Sequence, residues 1–209
     1  LGVDIRMNTK VTPEMIEEIK PHTVMNAIGA ESIIPPIPGV DKAFVKDSHD
    51  VLDGKAEATG NVVVIGGGMV GMETAEYLAE KGAKVSVLEM LPDICSDMGT
   101  TRKICMGEEI QKSGIIPVTS VKVTEIGDNV VIGEKDGEKV EFPCDTAVLA
   151  IGAKKRDGSA LAETCYKNGI GYFEIGDAAM ARRAINATRE AMDAALTFDR
   201  EDVHRDVSK

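Results

Sequence analysis

The apolar and polar positions change period several times along the chain. Val62–Ile65 is an apolar run without alternation, as expected of a parallel strand covered on both faces. It stops at Gly66-Gly67-Gly68, and a helical pattern follows to a turn glycine at Gly82. A second short apolar run, Val85–Leu88, then ends on Glu89. Thr23–Ala30, Ile115–Thr119, Asp145–Ala153 and Gly171–Ile175 read as further strands, and Val3–Met7 alternates as a strand would. Val121–Ile126, Asn129–Ile132 and Lys139–Phe142 are short runs separated by Gly/Asp turns. They predict an antiparallel meander on the edge of the sheet. Thr12-Pro13-Glu14 starts a helix with an N-cap, a proline at the first helical position and an acid in the first turn. Ser48–Leu52, Thr100–Ser113 and Arg182–Thr197 are also predicted helices. Thr100–Ser113 has Glu108, Glu109 and Lys112 on its wet face, and Arg182–Thr197 has a small-residue face of Ala184, Ala187, Ala191, Ala194 and Ala195. Pro92–Gly99 and the stretch between Ala153 and Gly171 read as loops, and Asp199–Lys209 as a charged, frayed end.

Two features suggest how these elements are divided. Pro35-Pro36-Ile37-Pro38-Gly39-Val40 can neither continue a helix nor sit inside a sheet, so it reads as a stiff connector. The tetrapeptide Ala27-Ile28-Gly29-Ala30 recurs as Ala150-Ile151-Gly152-Ala153, each time at the end of a buried-strand run. Two strand ends of one outer domain, with a second domain inserted between them, would give this layout. The expected division is 1–44 with 152–209 for the outer domain and 45–151 for the inner one. The chain opens on Leu1 with a strand-like run, which leads us to expect a fragment of a longer polypeptide.

Strand, glycine turn, helix and acid together form a dinucleotide-binding unit. Gly66 lets the chain turn out of the strand, Gly68 removes a Cβ that would block a pyrophosphate, and Gly71 lets the helix pack closely. The helix N-terminus then offers N–H groups and a positive dipole end to the phosphates across Gly67, Gly68, Met69 and Val70. Glu89, eighteen residues after Gly71, can accept hydrogen bonds from both hydroxyls of an adenine ribose. A 2′-phosphate would call for Arg or Lys, and none occurs from Met90 to Thr101, so NAD(H) is expected rather than NADP(H). Glu73, near the start of the helix, could orient the nicotinamide; its other reading is a first-turn acid serving the helix dipole.

Composition narrows the possibilities. A net charge of −11, with Lys154-Lys155-Arg156 as the longest basic run, argues against nucleic acid and anionic membranes as partners. The apolar runs are too short to span a bilayer, no signal peptide is visible, and a cytoplasmic setting is expected. Cys95, Cys105, Cys144 and Cys165 form no CxxC pair and no Cys/His cluster, so they read as reduced thiols with no metal site. His22, His49 and His204 fall in a turn, a linker and the tail. No acid–base group for a stand-alone NAD dehydrogenase is therefore assigned.

The order of motifs resembles the two-dinucleotide-fold flavoprotein reductases. The similarity lies in the strand ending Ala27-Ile28-Gly29, the Pro-rich connector, Gly66–Gly71 with Glu73, the strand ending Ala150-Ile151-Gly152, and Ile175-Gly176-Asp177. Asn26–Ala30, Asp47–Leu52 and Gly176–Ala187 are similar, more narrowly, to the C-terminal part of NADH:flavin oxidoreductases of the old yellow enzyme class. That class includes 2,4-dienoyl-CoA reductase, trimethylamine dehydrogenase and the enoate reductases. The resemblance implies an α/β fold in which a Rossmann-like NAD-binding domain, with its parallel sheet and meander, is inserted into a partial FAD-binding domain. It places Gly29, Gly152, Gly176 and Asp177 at the FAD, with Asp177 at the ribityl chain; an N-cap for the next helix is that residue's other use. It also implies an upstream region of the same polypeptide carrying FMN and an iron–sulfur cluster, with a homo-oligomer open. The family's first glycine motif is not in this sequence, so the FAD site is expected to be incomplete. Two alternatives stay open: a stand-alone NADH oxidase or disulfide-reductase-like flavoenzyme, and a non-enzymatic NAD-binding module.

Overall fold

The structure is a computed structural model that describes residues 2–96 and 98–198, without the side chains of residues 100–103 and Cys105. His204 and the expected frayed end, Asp199–Lys209, lie outside the described residues. The chain divides into two compact units, Leu1–Glu31 with Ala153–Lys209 and Ser32–Gly152.

The outer unit opens with α1 (Pro13–Ile19), β1 (Thr23–Asn26) and the first residues of β2 (Ala30–Ser32). Thr12 caps α1 as its sequence suggests, accepting the Met15 N–H at 3.4 Å, and Lys20 ends the helix in the left-handed region.

The inner unit begins with β3 (Val45–Asp47), α2 (Ser48–Leu52), β4 (Asn61–Ile65), α3 (Met69–Glu80) and β5 (Lys84–Leu88). It continues through α4 (Thr100–Ser113), β6 (Ile116–Val118), β7 (Lys122–Ile126), β8 (Val130–Lys135), β9 (Glu138–Pro143) and β10 (Thr146–Leu149). Its five parallel strands lie in the order β3-β10-β4-β5-β6. The period-2 alternation of the strands builds two cores. Val62, Val64, Val85, Val87 and Val148 face Met72, Ala75 and Leu78 of α3 and Met106 and Ile110 of α4. Val63, Ile65, Leu88, Ala147 and Leu149 face Val121, Ile126 and Val131 of the meander region. Val64, Val87 and Val148 are fully buried, and each such side chain stabilises the fold by about 1.5–3 kcal/mol.

The meander was expected on the sheet edge. It is instead a separate three-stranded antiparallel sheet, β7-β8-β9, laid over one face of the parallel sheet. The reason is physical: β4 is apolar on both faces, helices cover only one, and the second face needs its own layer. One edge strand of the parallel sheet is β6, short, carrying Pro117 and leaving Ile116 exposed. The sequence-based division placed residues 32–44 in the outer domain, yet this stretch groups with the inner unit. Ile37, Val40 and Phe44 pack on the meander core, and the Ile126 N–H donates to the Pro38 carbonyl at 2.8 Å.

The outer unit resumes with β11 (Ala153–Lys155), α5 (Ser159–Lys167), β12 (Gly171–Glu174), a 3₁₀ turn at Gly176–Ala178 and α6 (Ala184–Thr197). β1 pairs in parallel with β12, and a small core forms from Ile16, Cys165 and Ile170 with Val24, Leu161 and Tyr172. The two strands that start on the last alanine of each Ala-Ile-Gly-Ala copy, β2 and β11, pair with each other. Three expectations fail here. Val3–Met7 is not a strand: its apolar residues are exposed and it joins no described sheet, and a lone strand has no partner for its N–H and C=O groups. The loop expected after Ala153 contains α5, whose Leu161 and Cys165 stand one turn apart on the core face. The small-residue face of α6 is only partly covered, since Ala184 and Ala195 are exposed while Ala194 is buried.

Candidate dinucleotide site

The glycine turn between β4 and α3 is shaped by backbone crowding. Gly66 has φ +111°, donates its N–H to the Leu88 carbonyl at 2.8 Å, and would place a Cβ 2.4 Å from the Ala150 carbonyl oxygen. A Cβ on Gly71 would lie 1.9 Å from the Gly66 carbonyl oxygen. Only glycine fits at either place. A Cβ on Gly68 would meet nothing within 4 Å, so this residue borders open space at the head of α3. That helix has no side-chain cap at its N-terminus and no acid in its first turn. The uncapped N–H groups at Met69 and Val70 and the dipole end remain available to an anion. Glu73, read from sequence as a possible first-turn acid, lies beyond that turn and is exposed.

Glu89 is drawn tightly into the same turn. Its Oε2 accepts the Gly67 N–H at 2.7 Å and its Oε1 the Leu91 N–H at 2.8 Å. A Cβ on Gly67 would sit 2.9 Å from Glu89 Cβ and 2.9 Å from Ile94 Cγ2, so Gly67 is what lets the acid approach. The half-buried carboxylate has lone pairs beyond those two bonds, enough for a ribose diol. Within the predicted loop, Cys95, buried and left-handed at φ +45°, reaches back to the turn and donates its N–H to the Gly67 carbonyl at 2.8 Å. No sequence signal marked this contact. The inner-unit residues Gly66, Gly67, Gly68, Met69, Val70, Gly71 and Glu89 therefore come together as one site, and its open cradle and free helix end fit a dinucleotide. A cavity of about 520 Å³ lies at the other end of β4, lined by Val51, Ala58, Tyr77, Leu78 and Lys81. It is separate from the glycine turn.

In the outer unit, Gly29 and Gly176 have φ +78° and +61°; Gly152, the last residue of the inner unit, has φ +102°. Asp177 is exposed and its Oδ1 accepts the Arg182 N–H at 3.2 Å. It is not the N-cap of the next helix, because α6 starts after Arg183 with no side-chain cap. Two side chains that the sequence did not single out hold the turns. Asn26, 3% exposed, accepts the Ile28 N–H at 3.1 Å and donates to the Tyr172 hydroxyl at 2.8 Å. Glu190 accepts the Gly176 N–H at 2.8 Å. Burial pushes the Tyr172 hydroxyl up to about 12.

His49 Nδ1 lies 3.1 Å from Ser32 Oγ and 3.5 Å from Asp47 Oδ1. Both contacts use one ring nitrogen, so no proton can pass through the ring from the serine to the acid. Asp47 Oδ1 serves instead as the cap of α2. Cys95, Cys144 and Cys165 are buried, and burial pushes the Cys144 thiol up to about 11, away from thiolate reactivity. Among the described residues no group of three or more His, Cys, Asp or Glu side chains is placed to hold a metal, and no helix is long and apolar enough to cross a membrane.

A glycine turn at the C-terminal edge of a parallel sheet, with an uncapped helix end and an acid at the next strand end, is the layout of a Rossmann-like α/β domain. The chain belongs to the pyridine nucleotide-disulphide oxidoreductase family, whose sequence profile matches residues 2–190. It is 39% identical over 199 residues to an NADH oxidase of Thermoanaerobacter brockii, covering 93% of this chain and 30% of that protein. It is 43% identical over 154 residues to a bilirubin reductase of Mediterraneibacter gnavus, covering 74% of this chain and 24% of that protein. Among solved structures, a 2-naphthoyl-CoA reductase complexed with 2-naphthoyl-CoA superposes with a TM-score of 0.86 at 30% identity, over 94% of this chain and 30% of that one. A histamine dehydrogenase of Rhizobium shares the fold, with a TM-score of 0.82 at 20% identity over 96% of this chain and 34% of that one. The expected kinship with the flavin oxidoreductases is thus borne out in sequence and fold. The chain spans about a quarter to a third of the length of these proteins.

Proposed function

We propose that this chain is the NADH-accepting module of a flavin-dependent oxidoreductase. The observation that carries the reading is the pairing of an open, uncapped cradle at Gly68 with a carboxylate fixed at the ribose end of it, on Glu89. When bound, the nicotinamide supplies a hydride and FAD accepts it. The work left to the protein is placement. Gly67, Gly68, Met69 and Val70 hold the pyrophosphate, Gly71 keeps the helix end against the turn, and Glu89 receives the ribose hydroxyls. Glu73, exposed on α3, is the candidate for orienting the nicotinamide. Gly29, Gly176 and Asp177 of the outer unit are our candidates for the FAD site, as is Gly152, the residue just before that unit resumes at Ala153, with Asp177 accepting a ribityl hydroxyl.

The names of the related NADH oxidase and bilirubin reductase support a reductive role, and the short span of this chain within them supports a larger assembly. We propose that electrons go on to an FMN and iron–sulfur domain upstream in the same cytoplasmic polypeptide. Two measurements test these readings. NADH fluorescence titrated with the purified chain should show binding tighter than for NADPH; equal affinity would sink the cofactor assignment. Extraction of the full-length gene product should yield FAD, FMN and iron, and a product free of flavin would favour a non-enzymatic NAD-binding module instead.

A further inference from the structure

The turn that presents Asp177 is held from a distance. Gly176 sits at φ +61°, and a Cβ there would come within 3.0 Å of Ala187 Cβ on α6. Its N–H is buried with the residue, and such a group needs an acceptor. Glu190 supplies it from about two turns along α6, through Oε2 at 2.8 Å. Glu190 Oε1 pairs with the guanidinium of Arg182. Arg182 in turn donates its backbone N–H to Asp177 Oδ1 at 3.2 Å and its Nε to the Met180 carbonyl at 3.3 Å. Glu190, Gly176, Asp177 and Arg182 thereby close a ring in which one carboxylate fixes both ends of the turn. The Gly176 N–H first, and then Arg182, hold the Glu190 carboxyl below the usual carboxylate range, so it stays ionised at neutral pH.

We propose that Glu190 is the positioning residue for Asp177, fixing the Gly176–Asp177 turn and Arg182 so that the aspartate is presented to a ribityl hydroxyl of a flavin. This rests on the reading of Asp177 as flavin-facing. A purely packing role does not account for the arrangement. The Glu190 side chain is 29% exposed and acts through two polar bonds, one to Gly176, the residue before the aspartate, and one to Arg182, whose N–H the aspartate accepts.

The test uses Glu190→Ala, Glu190→Gln and Asp177→Ala, comparing ¹H–¹⁵N amide shifts of Gly176 and Arg182 in this chain and the FAD affinity of the full-length gene product. Glu190→Ala should move both amides and weaken FAD by about 10-fold, the scale of a lost charge-assisted hydrogen bond. Glu190→Gln retains an acceptor for Gly176; it should return that amide to its wild-type position and bring FAD affinity back to within about 3-fold. The proposal is overturned if Glu190→Ala leaves both amides in place, or moves them without changing FAD affinity while Asp177→Ala weakens it. If Asp177→Ala changes nothing, or the wild-type full-length product holds no FAD, the flavin-facing reading fails and takes the ligand half of the proposal with it. The amide shifts alone then decide whether Glu190 sets the turn.

Discussion

The carboxylate of Glu89 accepts the N–H of Gly67 at 2.7 Å, joining the end of β5 to the turn that leaves β4. The acid we propose to read the ribose is therefore also a strut of the glycine turn. Glu89→Arg should lose NADH affinity by about 10-fold or more and shift the relative preference toward NADPH, because a ribose acceptor becomes a phosphate partner. Competitive titration of the two cofactors checks this; an unchanged ratio would contradict the placement of Glu89.

Two glycines of the turn, Gly71 and Gly68, should behave differently when given a methyl group. Gly71→Ala would drive a Cβ to 1.9 Å from the Gly66 carbonyl oxygen, and the fold should lose roughly 3 kcal/mol or more. Gly68→Ala meets open space, so its melting temperature should stay within a few degrees of wild type while NADH binding drops by about 10-fold. Calorimetry and NADH titration on the same samples separate the two outcomes. A Gly68→Ala variant that binds NADH normally would remove the pyrophosphate from this place.

Glu76 on α3 carries a buried Oε1 with no hydrogen-bond partner among the described residues. Burial first, then the charges of Glu109, Glu73 and Glu80, raise its pKa. A carboxyl raised in the folded state costs stability wherever the pH lies above its folded pKa. That cost is relieved as pH falls through the folded pKa toward the unfolded value. Glu76→Gln should therefore raise the melting temperature at pH 7 by a few degrees, with the gain shrinking toward pH 4.5. A melting temperature that falls at pH 7 would contradict the assignment.

Tyr172 offers the opposite end of the pH scale. Its hydroxyl, pushed by burial from 10.0 to about 12, keeps its proton in the folded state after the unfolded chain has lost it. The stability tied to that proton is complete below pH 10 and is lost between pH 10 and about 12. Tyr172→Phe removes the acceptor of Asn26 Nδ2 and should cost about 1–2 kcal/mol at pH 7. The variant's unfolding free energy should also fall less steeply than wild type's across that alkaline window, as chemical denaturation at stepped pH would reveal.

Much of the inner unit was legible because its signals are local. Val62–Ile65 has no alternation, the glycines follow at once, and Glu89 ends the next strand, so strand, turn, helix and acid all follow from short stretches of residues. The sheet-edge meander was misplaced for a tertiary reason: nothing in Val121–Ile126 says whether its partner is a neighbouring strand or the face of another sheet. α5 was missed although Leu161 and Cys165 have helical spacing, since the nine-residue helix is short and carries no cap signal. Asn26 and Glu190 escaped notice because their partners, Tyr172 and Gly176, are 146 and 14 residues away. An acid on a helix looks like any solvated charge until the turn it holds is folded against it.

Because Glu89 satisfies two backbone N–H groups, those of Gly67 and Leu91, its proposed part in cofactor choice is not independent of foldedness. A lineage drifting toward NADPH would have to replace the acid and find new acceptors for both amides, so the first substitution on that path would be selected against before the second could help. The residue we propose to set coenzyme preference is thus subject to sign epistasis, and an engineered switch should begin at the 90–96 loop rather than at Glu89 itself.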